Sequence, residues 1–222
     1  MATNKPTPQI FALMRDGHDV IRGAQLDIQE ATVDRNDLEG ANKRWVEFFR
    51  WNSLHLFMEE GNGSKDVAGF FKLFDKHCEQ VATTEGLFDA HVDLHEKEEA
   101  VEQAFKLGEM PALQTAFAEF ESVNLAHLKK EEDIMMPMVM KLMKSGHPMK
   151  KYMKEDILAV VPAQDMEFFV KFANQMLKKQ HGGMPRVRVF QRTCCSGRKR
   201  SVGPVDQGHG HGKDIQRVAY CH

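Results

Sequence analysis

Histidine and glutamate recur at helical spacing at three places in this 222-residue chain: HLFME at 55–59, HVDLH at 91–95 and HLKKEE at 127–132. Residues four apart on an α-helix share one face, about 6 Å from each other, so each pair can turn two donor atoms toward one point. Imidazole nitrogens and carboxylate oxygens meeting at such a point are metal-ligand chemistry, suited to iron, zinc or copper. One pair alone is as readily a half-solvated helix face. What singles out a metal is the set: His18, His55, Glu59, His91, His95, His127 and Glu131 all fall on the inward phase of their segments. Five imidazoles and two carboxylates sharing a core without a cation would leave buried polar and charged groups uncompensated. A lone zinc takes at most four ligands, whereas carboxylates that bridge two divalent ions use the whole set.

The elements that must present these residues read as helices. Apolar positions step by three and four through Ile10, Phe11, Met14, Ile21 and Ile28, which predicts a helix over 8–33 carrying His18. A second helix is predicted over 39–60, with Trp45, Phe48, His55 and Glu59 on one stripe and GNGS at 61–64 ending it. KDVAGFFKLFDKHCEQ reads as a short helix or packed loop, followed by a long helix over 82–107 bearing His91 and His95. The fourth predicted helix, over 112–144, carries Phe117, Phe120, His127 and Glu131, with Pro137 expected to kink it. No stretch alternates with period two, so the expected class is all-α, with the four predicted helices forming one bundle over 1–148. An additional helical segment interrupted by Pro162, over 149–181, is expected to pack on it.

Composition narrows the rest. Residues 182–222 hold eight Lys or Arg against two Asp, so the overall charge of −2 divides into +6 there and −8 over 1–181. An acidic body argues against nucleic-acid binding by the bundle. The segment 182–222, with SGRKRS, a vicinal Cys194–Cys195 pair and HGHG, lacks a sustained apolar face and is expected to be a disordered basic tail capable of weak polyanion contact. The N-terminal stretch has no apolar signal-peptide core, and no run of about 18 apolar residues suggests a membrane span. With neither a disulfide framework nor a C-x-x-C pair among four cysteines, the expectation is a cytoplasmic protein in a reducing compartment.

The series His18, HLFME, HVDLH and HLKKEEDIMMP resembles the hemerythrin-like, or HHE cation-binding, family over residues 8–145. The fold that the resemblance implies is the up-down-up-down four-helix bundle, of which myohemerythrin is an example. The resemblance also implies two non-haem iron ions joined by an oxo or hydroxo group. His18 and His55 would hold one iron, His91, His95 and His127 the other, and Glu59 with a helix-four carboxylate would bridge them. A position open to dioxygen or another small diatomic or peroxide ligand is implied as well. Oxygen-carrying members place an aspartate five residues after the last histidine. Here Glu131 stands at four and Glu132 at five, so Glu131 is the first choice and Glu132 the second. His77, inside the long gap between Glu59 and His91, is the alternative to His91 should the third helix begin earlier.

The sequence offers no cofactor loop and no nucleophile–base pair, so a binding or sensing protein is expected before an enzyme. The alternatives are a di-iron oxidase, peroxidase or nitric-oxide-handling enzyme, and iron storage or iron-level sensing. Trp51, Phe88, Leu94 and Ile134 stand one turn from proposed ligands as pocket wall or plain core. Glu98 or Glu99 is placed to accept a hydrogen bond from a ligand imidazole.

Overall fold

A computed structural model of the chain describes residues 9–61 and 69–181. The expectations for 182–222, a disordered tail and its polyanion contact, lie outside the described residues. The described chain is all-helical, with no strand among these residues. Four long helices, α1 (Gln9–Gln29), α2 (Leu38–Glu60), α5 (Leu87–Leu107) and α6 (Met110–Lys144), pack against one another, α5 most extensively on α6. Between α2 and α5 lie α3 (Gly69–His77) and the single turn α4 (Val81–Thr84). After α6 come a short turn α7 (Met149–Tyr152), an irregular helical stretch through Val160, and α8 (Met166–His181). No described helix is long and apolar enough to cross a membrane.

Local chemistry sets the boundaries. Asp37 caps α2 by accepting the Gly40 N–H at 2.8 Å, satisfying one of the donors a helix start leaves free. Pro111 sits in the first turn of α6, where its missing N–H costs nothing. The expected single helix over 82–107 is instead α4 and α5, broken before Leu87. Glu79, Gln80 and Gly86 adopt left-handed backbone (φ 61°, 56° and 64°), a region that glycine enters without strain but that Glu and Gln do not advertise. The fourth helix runs without interruption through Pro137.

Helix α8 packs along α1 and also touches α2. Its approach to α1 is close: a Cβ on Gly23 would stand 2.9 Å from the Met176 carbonyl oxygen, which only glycine avoids. Phe169 of α8 stacks on Trp51 of α2 at 5.0 Å, and the Trp51 indole N–H donates to the Phe169 carbonyl at 3.1 Å. Lys179 of α8 pairs with Asp27 and Glu30 near the end of α1.

Deep between α2, α5 and α6 lies an aromatic layer. Trp45 meets Phe120 edge-on at 5.2 Å and lies 6.3 Å from Phe105. Phe48 meets Phe120 at 5.8 Å. Trp45, Phe48, Phe117 and Phe120 are all buried, supplying the large apolar area that holds the helices together.

Candidate metal centre

Two helical turns beyond the aromatic layer, the same helices turn polar. On α2 the order is Phe48, Asn52, His55, Glu59; on α6 it is Phe120, Asn124, His127, Glu131, all buried. The H-x-x-x-E spacing aligns each imidazole with its carboxylate: His55 Nε2 stands 3.2 Å from Glu59 Oε1, and His127 Nε2 3.2 Å from Glu131 Oε1. Helix α1 adds His18, whose Nε2 lies 3.3 Å from Glu131 and 4.0 Å from Glu59. Helix α5 adds His91, whose Nε2 lies 3.6 Å from Glu59, 3.7 Å from Glu131 and 3.1 Å from His127 Nε2.

These six residues form two overlapping sets of donors, His18–His55–Glu59–Glu131 and Glu59–His91–His127–Glu131, each with its ligating atoms within 4.8 Å of one another. Glu59 and Glu131 belong to both. The sequence expectations thus meet in space for His18, His55, Glu59, His91, His127 and Glu131, and part for the others. His95 lies outside both sets: it is about one-third exposed and its Nδ1–H donates to Glu98 at 2.9 Å on its own helix. Glu98 in turn accepts from Asn52 at 3.0 Å. His77 ends α3 outside both sets, its ring 4.4 Å from His147 and stacked near Tyr152. Glu132 points outward from the cluster, accepting from His18 Nδ1 at 3.0 Å and from Arg22 at 2.8 Å.

Electrostatics follow from the burial. Desolvation alone would push the His18 imidazole toward neutrality, but Glu131, Glu132 and Glu59 outweigh it and hold its pKa well above the ordinary value. His91, likewise opposed by burial, is pushed up to about 10 by Glu131, Glu60 and Glu59. Burial acts to raise Glu131, yet His127, His18 and His91 hold it well below the usual carboxylate range. Glu132, bonded to His18 and Arg22, sits at about 2.

The residues present fit a bound metal ion. Buried His18 Nε2, His55 Nε2, Glu59 Oε2 and both Glu131 oxygens make no hydrogen bond, and these are atoms that the two donor sets direct at one another. A buried polar atom without a partner is costly, and a shared cation is the partner that nitrogen lone pairs and carboxylate oxygens have in common.

Beside His18, His55 and Glu59 lies an apolar cavity of about 30 Å³, walled by Met14, Gly17, Trp51, Ile157 and Phe169 among others. Trp51 holds one side by stacking on His55 at 5.5 Å, and is itself fixed by Phe169. Of the four residues expected near the ligands, Trp51 lines this cavity and Phe88, Leu94 and Ile134 do not.

Sequence reading passed over Glu60, whose carboxylate accepts from His91 Nδ1 at 2.5 Å. The signal was present: HLFMEE and HLKKEE both read H-x-x-x-E-E. Comparison with protein-family models, curated proteins and solved structures finds no significant match for this chain.

Proposed function

We propose that this chain is a hemerythrin-type, non-haem di-iron protein that binds or senses dioxygen or a related small oxidant. The observation that carries this reading is the sharing of Glu59 and Glu131 by two sets of buried His/Glu donors. A mixed imidazole and carboxylate set without thiolate suits iron, and two shared carboxylates suit two ions held side by side. The architecture we assign with it is an up-down-up-down four-helix bundle. Helices α2 and α6 meet ring to ring at Trp45 and Phe120 and carboxylate to carboxylate at Glu59 and Glu131, in the same chain order. Helix α5 meets the same two levels in reverse order, with Phe105 near Trp45 and His91 near Glu59.

When bound, the iron pair supplies redox chemistry toward dioxygen. The chain's own residues do the rest. Glu59 and Glu131 would hold the ions, with His18, His55, His91 and His127 as the nitrogen donors, in a site whose six side chains are all buried. The cavity next to His18 and His55 has room for two or three waters, at about 10–15 Å³ each, and so for a diatomic molecule. Its apolar wall favours an uncharged small ligand over a polar substrate, which supports binding or sensing over turnover of an organic compound.

The test is metal content together with the visible spectrum of the anaerobically reduced protein before and after air, for wild type and for a His91→Ala, His127→Ala double variant. About two irons per chain and a new, reversible absorption band absent from the variant would bear the reading out. A transient band that decays with product would turn it to an oxidase. Failure of folded, iron-reconstituted wild type to retain iron would sink it.

A further inference from the structure

The two H-x-x-x-E-E segments do the same thing twice. In each, the first glutamate is shared by both donor sets, and the second reaches across to a donor-set histidine on another helix. Glu60 of α2 takes the Nδ1–H of His91 on α5, at 2.5 Å; Glu132 of α6 takes the Nδ1–H of His18 on α1, at 3.0 Å. Both acceptors are partly exposed, 21% and 28%, while the imidazoles they hold are 1% exposed. The pattern crosses over: α1 and α2 supply the histidines of one set and α5 and α6 those of the other, yet His18 is held from α6 and His91 from α2.

Resting on the di-metal reading, we propose that Glu60 and Glu132 are a matched pair of positioning residues, one for each metal position. Each fixes the proton of its histidine on Nδ1, which leaves Nε2 as the ligating atom, facing Glu59 and Glu131. A carboxylate behind a ligating imidazole sets its tautomer and ring orientation and raises its basicity. The pairing makes a prediction that general structural support does not: the two carboxylates act on different metals. Glu132 governs the His18–His55 position and Glu60 the His91–His127 position.

Stepwise cobalt(II) titration of the full chain, followed by visible absorption, tests this with Glu60→Ala, Glu132→Ala and the corresponding Gln variants. We expect wild type to bind two cobalt ions. Each Ala variant should keep one position at wild-type affinity and weaken the other by roughly 10- to 100-fold. The Gln variants, whose amide oxygen still accepts from Nδ1–H, should recover much of the loss. Proton NMR of the cobalt form assigns the position. Glu132→Ala should shift or lose the exchangeable Nδ1–H signal of His18 and leave that of His91, and Glu60→Ala the converse. Two cobalt ions bound with both positions weakened together, or neither weakened, would overturn the pairing and leave the di-metal reading standing. No cobalt bound by folded wild type would overturn both.

Discussion

The aromatic layer and the His/Glu layer lie two turns apart between the same helices and are buried alike, but they are complete in different ways. Trp45, Phe48, Phe117 and Phe120 find their partners in one another: Phe120 meets Trp45 and Phe48 edge-on, Phe117 meets Trp45 edge-on, and the burial of apolar area stabilises the fold with or without a metal. In the polar layer, His18, His55, Glu59 and Glu131 carry buried atoms that the protein does not satisfy. One layer holds the helices together; the other gathers donor atoms that could hold a metal ion. Substitutions in the two should therefore respond differently to metal.

The largest effect belongs to the aromatic layer. Phe120→Ala removes a fully buried ring touching Trp45, Phe48 and Phe117, and should cost about 3–5 kcal/mol of stability in denaturant unfolding. The cost should be the same with and without metal. A cost that appears only in the metal-loaded protein would mean that this layer serves the site and not the fold.

Glu131→Ala gives the opposite signature. A ligand that binds only the folded state at about 1,000 times its dissociation constant stabilises by about 4 kcal/mol, and this variant should forfeit that gain, since Glu131 belongs to both donor sets. Thermal unfolding with and without iron(II) measures it. An undiminished metal-induced rise in melting temperature would remove Glu131 from the site.

The layers also differ toward protons. Glu131 is depressed, so its stabilising contribution is complete above the ordinary carboxylate value of about 4.3 and is lost as pH falls through its folded value. His18 and His91 are raised, so theirs is complete below about 6.5 and fades as pH climbs, toward about 10 for His91. The metal-free polar layer thus contributes most between about pH 4.3 and 6.5. A metal takes the place of the imidazole protons, so its hold strengthens with pH. The gap in melting temperature between loaded and metal-free protein should widen from about pH 6 to about pH 8, and a gap that narrows would contradict the ligand set.

How much of this could be read from the sequence follows from geometry. Periodicity placed His18, His55, Glu59, His127 and Glu131 inward because each lies on a long, uninterrupted helix whose apolar stripe defines its face. The break before α5 turns on left-handed backbone at Gly86, one glycine inside an otherwise helical pattern, and the break before α4 on the same backbone at Glu79 and Gln80, residue types that carry no such signal. Glu60 escaped because it lies five residues from His55, about 140° around the helix, where a carboxylate looks solvated. Its role exists only through His91 on another helix.

The smallest expected effect concerns His95, and it is the one that most sharpens the contrast between what spacing suggests and what packing delivers. His91 and His95 differ by only about 40° around α5, too little for sequence to tell which faces the carboxylates. In the fold His91 is buried against Glu59 and Glu131, while His95 stands one-third exposed and joins Glu98 and Asn52 instead. His95→Ala should leave metal stoichiometry unchanged and cost about 1 kcal/mol or less in stability, because Glu98 keeps its bond to Asn52. Loss of one metal ion in this variant would show that the ring swings inward on loading, restoring five histidines and an unequal pair of metal positions. Retention of both would leave two histidines per metal, the arrangement in which the twin H-x-x-x-E-E segments make the positions equivalent in donors, with the cavity lying beside the His18–His55 position.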